Sequence, residues 1–314
     1  MINVALVGTW HVHFEGYANT IQDNPLCKIT AVWDNDKENA LHYAKQYNCE
    51  YVEDYDILLK RNDVDAIMVC TSTDLHHTVI KKAAHAGKHI FTEKVLCFTE
   101  ADALDVAKAV KENGVKFCIS FPWKTNGDFI WIKDAVDNKL VGEINYCRMR
   151  NAHNGTGAGW LPQTFYDRKS CGGGAMMDLG AHSMYILNWL MGEPEKASSA
   201  FTNVIVDSVE DNAVTVLTYK NGAIAVSETG FVAPNNPFEF EIVGSKGTIL
   251  AGGFINKVCY NIGDGWVFPN VPNNAKSPIQ TWIDAIETGS PIPYGIDDAV
   301  ALSKTMELAY KNII

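Results

Sequence analysis

The segment 172–182 reads GGGAMMDLGAH and places Asp178 and His182 four residues apart at the start of an apolar stretch. Residues at i and i+4 share one face of a helix, so a carboxylate and an imidazole would project together into whatever that face borders. Imidazole titrates near neutral pH and can accept or return a proton during turnover, while a neighbouring carboxylate orients it or tunes it. The same residues also fit a plainer account, an Asp favoured in the first turn by the helix dipole and a His satisfied in a core. Lys94 is a third candidate. It follows the apolar run KHIFT at 88–92, at a strand's carboxyl end, where open α/β sheets bind ligands. An ammonium there can hold a substrate hydroxyl and stabilise negative charge developing on its oxygen, although lysines in charged turns are ordinarily surface groups.

These side chains need elements to position them. From residue 2 to about 120, short β-branched runs at 3–7, 29–33, 66–70, 89–92 and 116–120 alternate with amphipathic stretches at 14–22, 37–47, 55–61, 76–86 and 100–113. That alternation predicts a doubly wound parallel sheet with crossover helices. After Pro122 the rhythm changes to a helix at 128–138, a strand near 143–150, a Gly-rich loop and the helix carrying Asp178 and His182. Turn signals such as Asn221-Gly222 then predict hairpins and a mostly antiparallel sheet over 196–262, with helices at 279–288 and 297–312. We therefore expect an α/β Rossmann-type domain at 1–121 and an α+β domain at 122–314, with a cleft between them.

The first strand ends in Gly8-Thr9-Trp10-His11-Val12-His13, where a dinucleotide fingerprint places glycines at the first, third and sixth positions. Gly8 alone matches. Asp34 ends the second strand, where an acid accepts hydrogen bonds from an adenosine ribose and repels a 2′-phosphate, favouring NAD over NADP. In DNDKE it is equally suited to capping a helix. His11 and His13, with His76 and His77, raise the question of a metal, but the HxH pair has no Cys or acidic ligand nearby in sequence, and no metal is expected.

Composition narrows the classes further. The 314 residues are 47% hydrophobic and 20% charged, as in soluble globular proteins, with a net charge of -11. No Lys/Arg cluster is present, so nucleic acid is not expected as a partner. No apolar run has the length of a membrane span. The eight cysteines form no CxxC pair, and Met1 leads directly into the apolar INVALVG, so a cytoplasmic protein with reduced thiols is expected.

Taken together, the chain resembles the glucose-fructose oxidoreductase / inositol dehydrogenase / rhizopine-catabolism (Gfo/Idh/MocA) family. AGKHIFTEKV at 86–95 is similar to that family's AGKHV-x-x-EKP segment, and GGGAMMDLGAH matches GGG-x-x-x-D-x-G-x-H without a gap. CTSTDLHH at 70–77 is similar to T-P-x-x-x-H, with Ser72 in place of proline and His76 in the histidine position. Val95 departs from the usual proline, which leaves Lys94 less constrained. The resemblance implies an NAD(P)-dependent enzyme acting on sugars, polyols or related cyclic compounds, with Lys94, Asp178 and His182 as its catalytic set. The residues expected to hold the coenzyme are Gly8, Thr9, Trp10, His11, Asp34, Thr71, Ser72, His76, Glu93 and Lys94.

The expected reaction is hydride transfer between a nicotinamide and a secondary alcohol of a carbohydrate-like substrate. His153, Trp160, Tyr166 and Arg168, in the segment before GGG, are expected to contact that substrate, though loop aromatics also commonly anchor packing. Two alternatives remain. One is NAD-dependent glycoside cleavage by transient oxidation and elimination; the other is a noncatalytic ligand-binding or regulatory homologue. Family resemblance and the apolar residues at 213–219 and 223–226 lead us to expect a homodimer or homotetramer packed through the antiparallel sheet.

Overall fold

The computed structural model describes residues 1–235 and 237–314. The chain divides into two compact units, Met1–Ser120 with Lys276–Ser303, and Phe121–Ala275 with Lys304–Ile314. The division is thus not one cut near residue 121.

In the first unit, β1 (Ile2–Val7), β2 (Cys27–Trp33), β3 (Glu50–Tyr51), β4 (Ala66–Val69), β5 (His89–Thr92) and β6 (Phe117–Ile119) form a parallel sheet in the order β3-β2-β1-β4-β5-β6. The reversal of order between β1 and β4 is the switch point at which such sheets bind ligands outside their carboxyl ends. Val4–Val7 and Ala66–Val69 are fully buried, which explains the near-continuous apolar runs of these central strands: both faces are covered. The connecting helices are α1 (Phe14–Gln22), α2 (Lys37–Gln46), α3 (Tyr55–Leu59), α4 (Thr73–His85) and α5 (Glu100–Glu112). The Asp36 carboxylate caps α2 by accepting from the backbone N–H groups of Glu38 and Asn39, so Asp36 rather than Asp34 starts that helix.

In the second unit, α6 (Gly127–Asp137) leads to β7 (Ile144–Ala152), then α7 (Arg168–Cys171), a π-helical turn at Met176–Gly180 and α8 (Ala181–Met191). Strands β8 (Lys196–Thr202), β9 (Asn212–Thr218), β10 (Ile224–Gly230), β11 (Phe238–Gly244), β12 (Thr248–Gly252) and β13 (Cys259–Asn261) complete a seven-stranded sheet ordered β13-β12-β11-β7-β10-β9-β8. Every neighbouring pair is antiparallel except β7 with β10. One face buries Cys147, Met149, Ala225, Ser227 and Leu217; on the other, Val214 and Ile224 remain 39% and 41% exposed.

The helices α9 (Pro278–Thr288) and α10 (Ile296–Lys311) end the chain. Helix α9 begins with a capping box between Ser277 and Gln280 and belongs to the first unit. Its Trp282 is fully buried, packs 5.8 Å from Phe91 and donates its indole N–H to the Lys116 carbonyl at 3.4 Å. Among the described residues, no helix is long and apolar enough to cross a membrane.

Candidate active site

The carboxyl ends of β1, β2, β4 and β5 gather the expected coenzyme residues. Gly8 has φ +79°, and a Cβ added there would lie 2.5 Å from the Thr71 nitrogen and side chain, so this position admits only glycine. His13 stands where the fingerprint has its last glycine, yet its backbone is ordinary right-handed helix (φ -86°, ψ -4°), which tolerates a side chain. The Trp10 and His11 N–H groups donate to the Cys70 carbonyl at 3.0 and 3.3 Å, drawing the turn onto β4. Asp34 is buried, and its carboxylate accepts from the Thr9 N–H (2.6 Å), the Thr9 hydroxyl (2.7 Å) and the Asp36 N–H (2.7 Å). A carboxylate has about four acceptor positions, so one remains for a ribose hydroxyl.

The ends of β4 and β5 are tied together by His76, whose Nδ1 lies 2.9 Å from the Val95 carbonyl and whose Nε2 lies 3.3 Å from that of Thr71. Burial holds this imidazole below its usual range, against the raising effects of those carbonyls and of Glu93. Val95 does not leave the segment loose as expected: it is 1% exposed and its carbonyl is held by His76. The Ser72 hydroxyl donates to Asp74 at 2.5 Å. Thr71 Oγ1 is buried with no hydrogen-bond partner, an orphan that a bound coenzyme can satisfy. With the switch-point topology, Gly8 and Asp34, this orphan fits a dinucleotide, despite the altered glycine turn.

The contacts of Glu93 are a feature that sequence spacing hides. Its Oε1 lies 2.9 Å from His13 Nδ1 and 3.8 Å from His11 Nδ1, and it accepts the Tyr17 hydroxyl, itself 2.7 Å from Ser120. The expectation that the HxH pair lacks an acidic neighbour is therefore wrong, because the turn after β1 and the end of β5 meet across the switch point. Burial drives the Glu93 carboxyl up, but His11, His13 and Lys94 outweigh it and hold the group well below the usual range.

In the second unit, the glycines before α8 are held by contact. A Cβ at Gly173 would meet the Tyr310 hydroxyl at 2.0 Å, and one at Gly174 the Glu210 carbonyl at 2.1 Å. Glu210 Oε1 accepts from the Gly174 N–H (2.8 Å), the Met176 N–H (3.1 Å) and the Tyr310 hydroxyl (2.5 Å). Asp178 sits in the π-helical turn and is partly exposed, not in a regular α-helix as its spacing suggested. Such turns recur at functional sites. His182 lies in the first turn of α8, 8% exposed, with Nδ1 3.0 Å from the Tyr185 hydroxyl. Tyr185 is fixed by stacking on Phe121 at 4.2 Å and by the Trp123 N–H, which donates to its oxygen at 3.1 Å. Sequence reading missed Tyr185, although its i+3 spacing from His182 placed it on the same helix face.

The expected substrate residues occupy one loop. His153 stacks on Phe231 (5.1 Å), lies 4.7 Å from the Trp160 ring and accepts the Gly155 N–H at 3.0 Å. Tyr166 packs on the cluster of Leu161, Phe165, Ala175 and Phe231 and bonds Thr156 at 2.9 Å. Trp160 is 59% exposed and Arg168 is exposed. The loop is thus anchored to Ala175, beside the segment that carries Asp178.

Comparison with known proteins agrees with this architecture. Residues 2–121 match a family profile described as oxidoreductase family, NAD-binding Rossmann fold, and residues 129–250 match the GFO/IDH/MocA C-terminal domain. An uncharacterized oxidoreductase of Bacillus subtilis, YrbE, is 30% identical over 80% of this chain and 72% of its own length. The inositol 2-dehydrogenase of Rhizobium meliloti is 26% identical over 91% of this chain and 90% of its own. A levoglucosan dehydrogenase solved with NADH and levoglucosan has the same fold, with a TM-score of 0.84 at 18% identity, covering 99% of this chain and 96% of that one. The chain belongs to the Gfo/Idh/MocA family of oxidoreductases, its first unit carrying the NAD-binding Rossmann fold.

Proposed function

We propose that the protein catalyses reversible NAD-dependent oxidation of a secondary alcohol on a cyclic polyol or sugar. The observation that carries this reading is the setting of His182, a buried imidazole at the head of α8 whose Nδ1 is pinned by an immobilised hydroxyl. The Tyr185 oxygen accepts the Trp123 N–H and lies within hydrogen-bond reach of His182 Nδ1. With Nδ1–H donated there, Nε2 carries the lone pair that a base needs to take the substrate's hydroxyl proton. Asp178 orients or tunes the imidazole, and Lys94 stabilises charge developing on the substrate oxygen. When bound, the nicotinamide supplies the hydride acceptor.

The relatives named for inositol and levoglucosan support a neutral cyclic substrate. The exposed Trp160 and Arg168 serve its recognition, with His153 and Tyr166 holding their loop in place. Asp34 supports NAD over NADP. The free thiols of all eight cysteines support a reducing cytoplasm, and the exposed Val214 and Ile224 support a homodimer or homotetramer.

The test is a screen of inositols, sugars and anhydrosugars with NAD and NADP, following both reduced nicotinamide and substrate cleavage, in the wild type and in His182→Ala. Accumulating NADH is expected. The variant should lose about 10²- to 10⁴-fold in turnover while binding NAD normally. Unchanged turnover removes the base role, and glycoside cleavage without net NADH replaces dehydrogenation by transient oxidation and elimination.

A further inference from the structure

The first unit holds a second constellation, at the edge of the residues expected to hold the coenzyme. His11, His13 and Glu93 are, among the described residues, a group of three whose ligand atoms all lie within 4.8 Å of one another. We propose that these three side chains bind a divalent transition cation of the zinc class, with a fourth coordination position open. Two imidazoles and one carboxylate are a donor set such ions take, at bond lengths of about 2.0–2.2 Å, and a tetrahedron of that size spaces its ligand atoms roughly 3.4 Å apart. The separations of 2.9 and 3.8 Å from Glu93 Oε1 to the two Nδ1 atoms bracket that spacing.

Two further observations favour a cation over a bare hydrogen-bonded cluster. First, the carboxylate is oriented by groups outside the trio, as ligating carboxylates are: Tyr17, backed by Ser120, donates to Oε1, and the Lys94 N–H donates to Oε2 at 3.0 Å. Second, the site is walled but open on one side. The His11 and Glu93 side chains are 5% and 1% exposed, whereas that of His13 is 49% exposed, which gives an ion a way in and leaves room for a water or substrate oxygen. The ligands come from the turn after β1 and the end of β5, so ordering this turn is part of what the ion contributes.

The test uses the full chain stripped with chelator and titrated with Co²⁺ in the absence of NAD, read by visible ligand-field absorption. One equivalent should give the intense spectrum of a four-coordinate ion, displaced by Zn²⁺. His13→Ala, at a solvent-facing side chain, should keep the wild-type circular dichroism and lose the spectrum. Tyr17→Phe should weaken Co²⁺ binding about 10-fold or more. His42→Ala and His85→Ala, at exposed histidines elsewhere, should change nothing. Absence of the spectrum, or a spectrum that His13→Ala leaves intact, overturns the proposal. NAD binding is measured on the same samples. Normal NAD binding without Co²⁺ binding removes the metal site and leaves the oxidoreductase reading standing.

Discussion

In the turn between β1 and α1 only Gly8 is required by its surroundings, and Trp10 and His13 occupy positions where a dinucleotide turn is usually bare. In the segment before α8, by contrast, both Gly173 and Gly174 stand where any Cβ would collide with Tyr310 or Glu210. The first region keeps one glycine and fills the other two positions with Trp10 and with His13, which bonds Glu93; the second keeps them all because its neighbours pack against the bare backbone. A motif's glycines therefore do not share one function. Those fixed by close approach persist as a block, while one whose backbone is ordinary helix can be exchanged for a residue with chemistry of its own.

The strongest test of that contrast is Gly174→Ala against Gly16→Ala. The first drives a Cβ to within 2.1 Å of the Glu210 carbonyl and should cost about 3 kcal/mol in thermal unfolding. Gly16 lies exposed in α1 with nothing within 4 Å, and its substitution should be neutral or stabilise by up to about 1 kcal/mol. Equal melting temperatures for the two variants would break the comparison. A smaller effect is expected from Tyr185→Phe, which removes the hydroxyl shared by His182 and the Trp123 N–H. Turnover should fall about tenfold, equivalent to about 1.4 kcal/mol, with a displaced pH profile and unchanged NAD affinity. A profile that stays in place assigns Tyr185 to packing alone.

The smallest effect concerns acid stability behind the first region. Burial lowers the folded-state pKa of His76, so between its ordinary value near 6.5 and that lower value the unfolded chain binds a proton that the folded chain does not. Stability must then fall as pH drops through this window, by at most about 1.4 kcal/mol per pH unit for this group. Urea unfolding of His76→Gln at about pH 7 and 5.5 should show a shallower loss than the wild type. An identical loss would place the proton uptake elsewhere, for instance at His89, which burial also lowers.

The parallel sheet was legible because its strands carry long apolar runs and its helices a clear period. Strand β3 was not, since two residues cannot display an alternation. Nor was the return of 276–303 to the first unit, because nothing local in α9 says which sheet Trp282 will meet. In the candidate site the expectation that Asp178 and His182 lie close together follows from spacing along one segment. The π-helical turn between them does not, as it depends on Glu210, which reaches Gly174 and Met176 from a distant loop. The contacts of Glu93 with His11 and His13 escaped for the same reason: they depend on strand order, which no single stretch of sequence states.

The clamp on the glycine segment also bears on when the protein can become competent. Tyr310 of α10 donates to the same Glu210 oxygen that holds Gly174 and Met176. A ribosome releases GGGAMMDLGAH long before it releases Tyr310, so a nascent or truncated chain displays the motif without the brace that shapes it. Motif and geometry are thus assembled at different times, and a fragment ending before α10 is expected to carry the signature while remaining unfit for its chemistry.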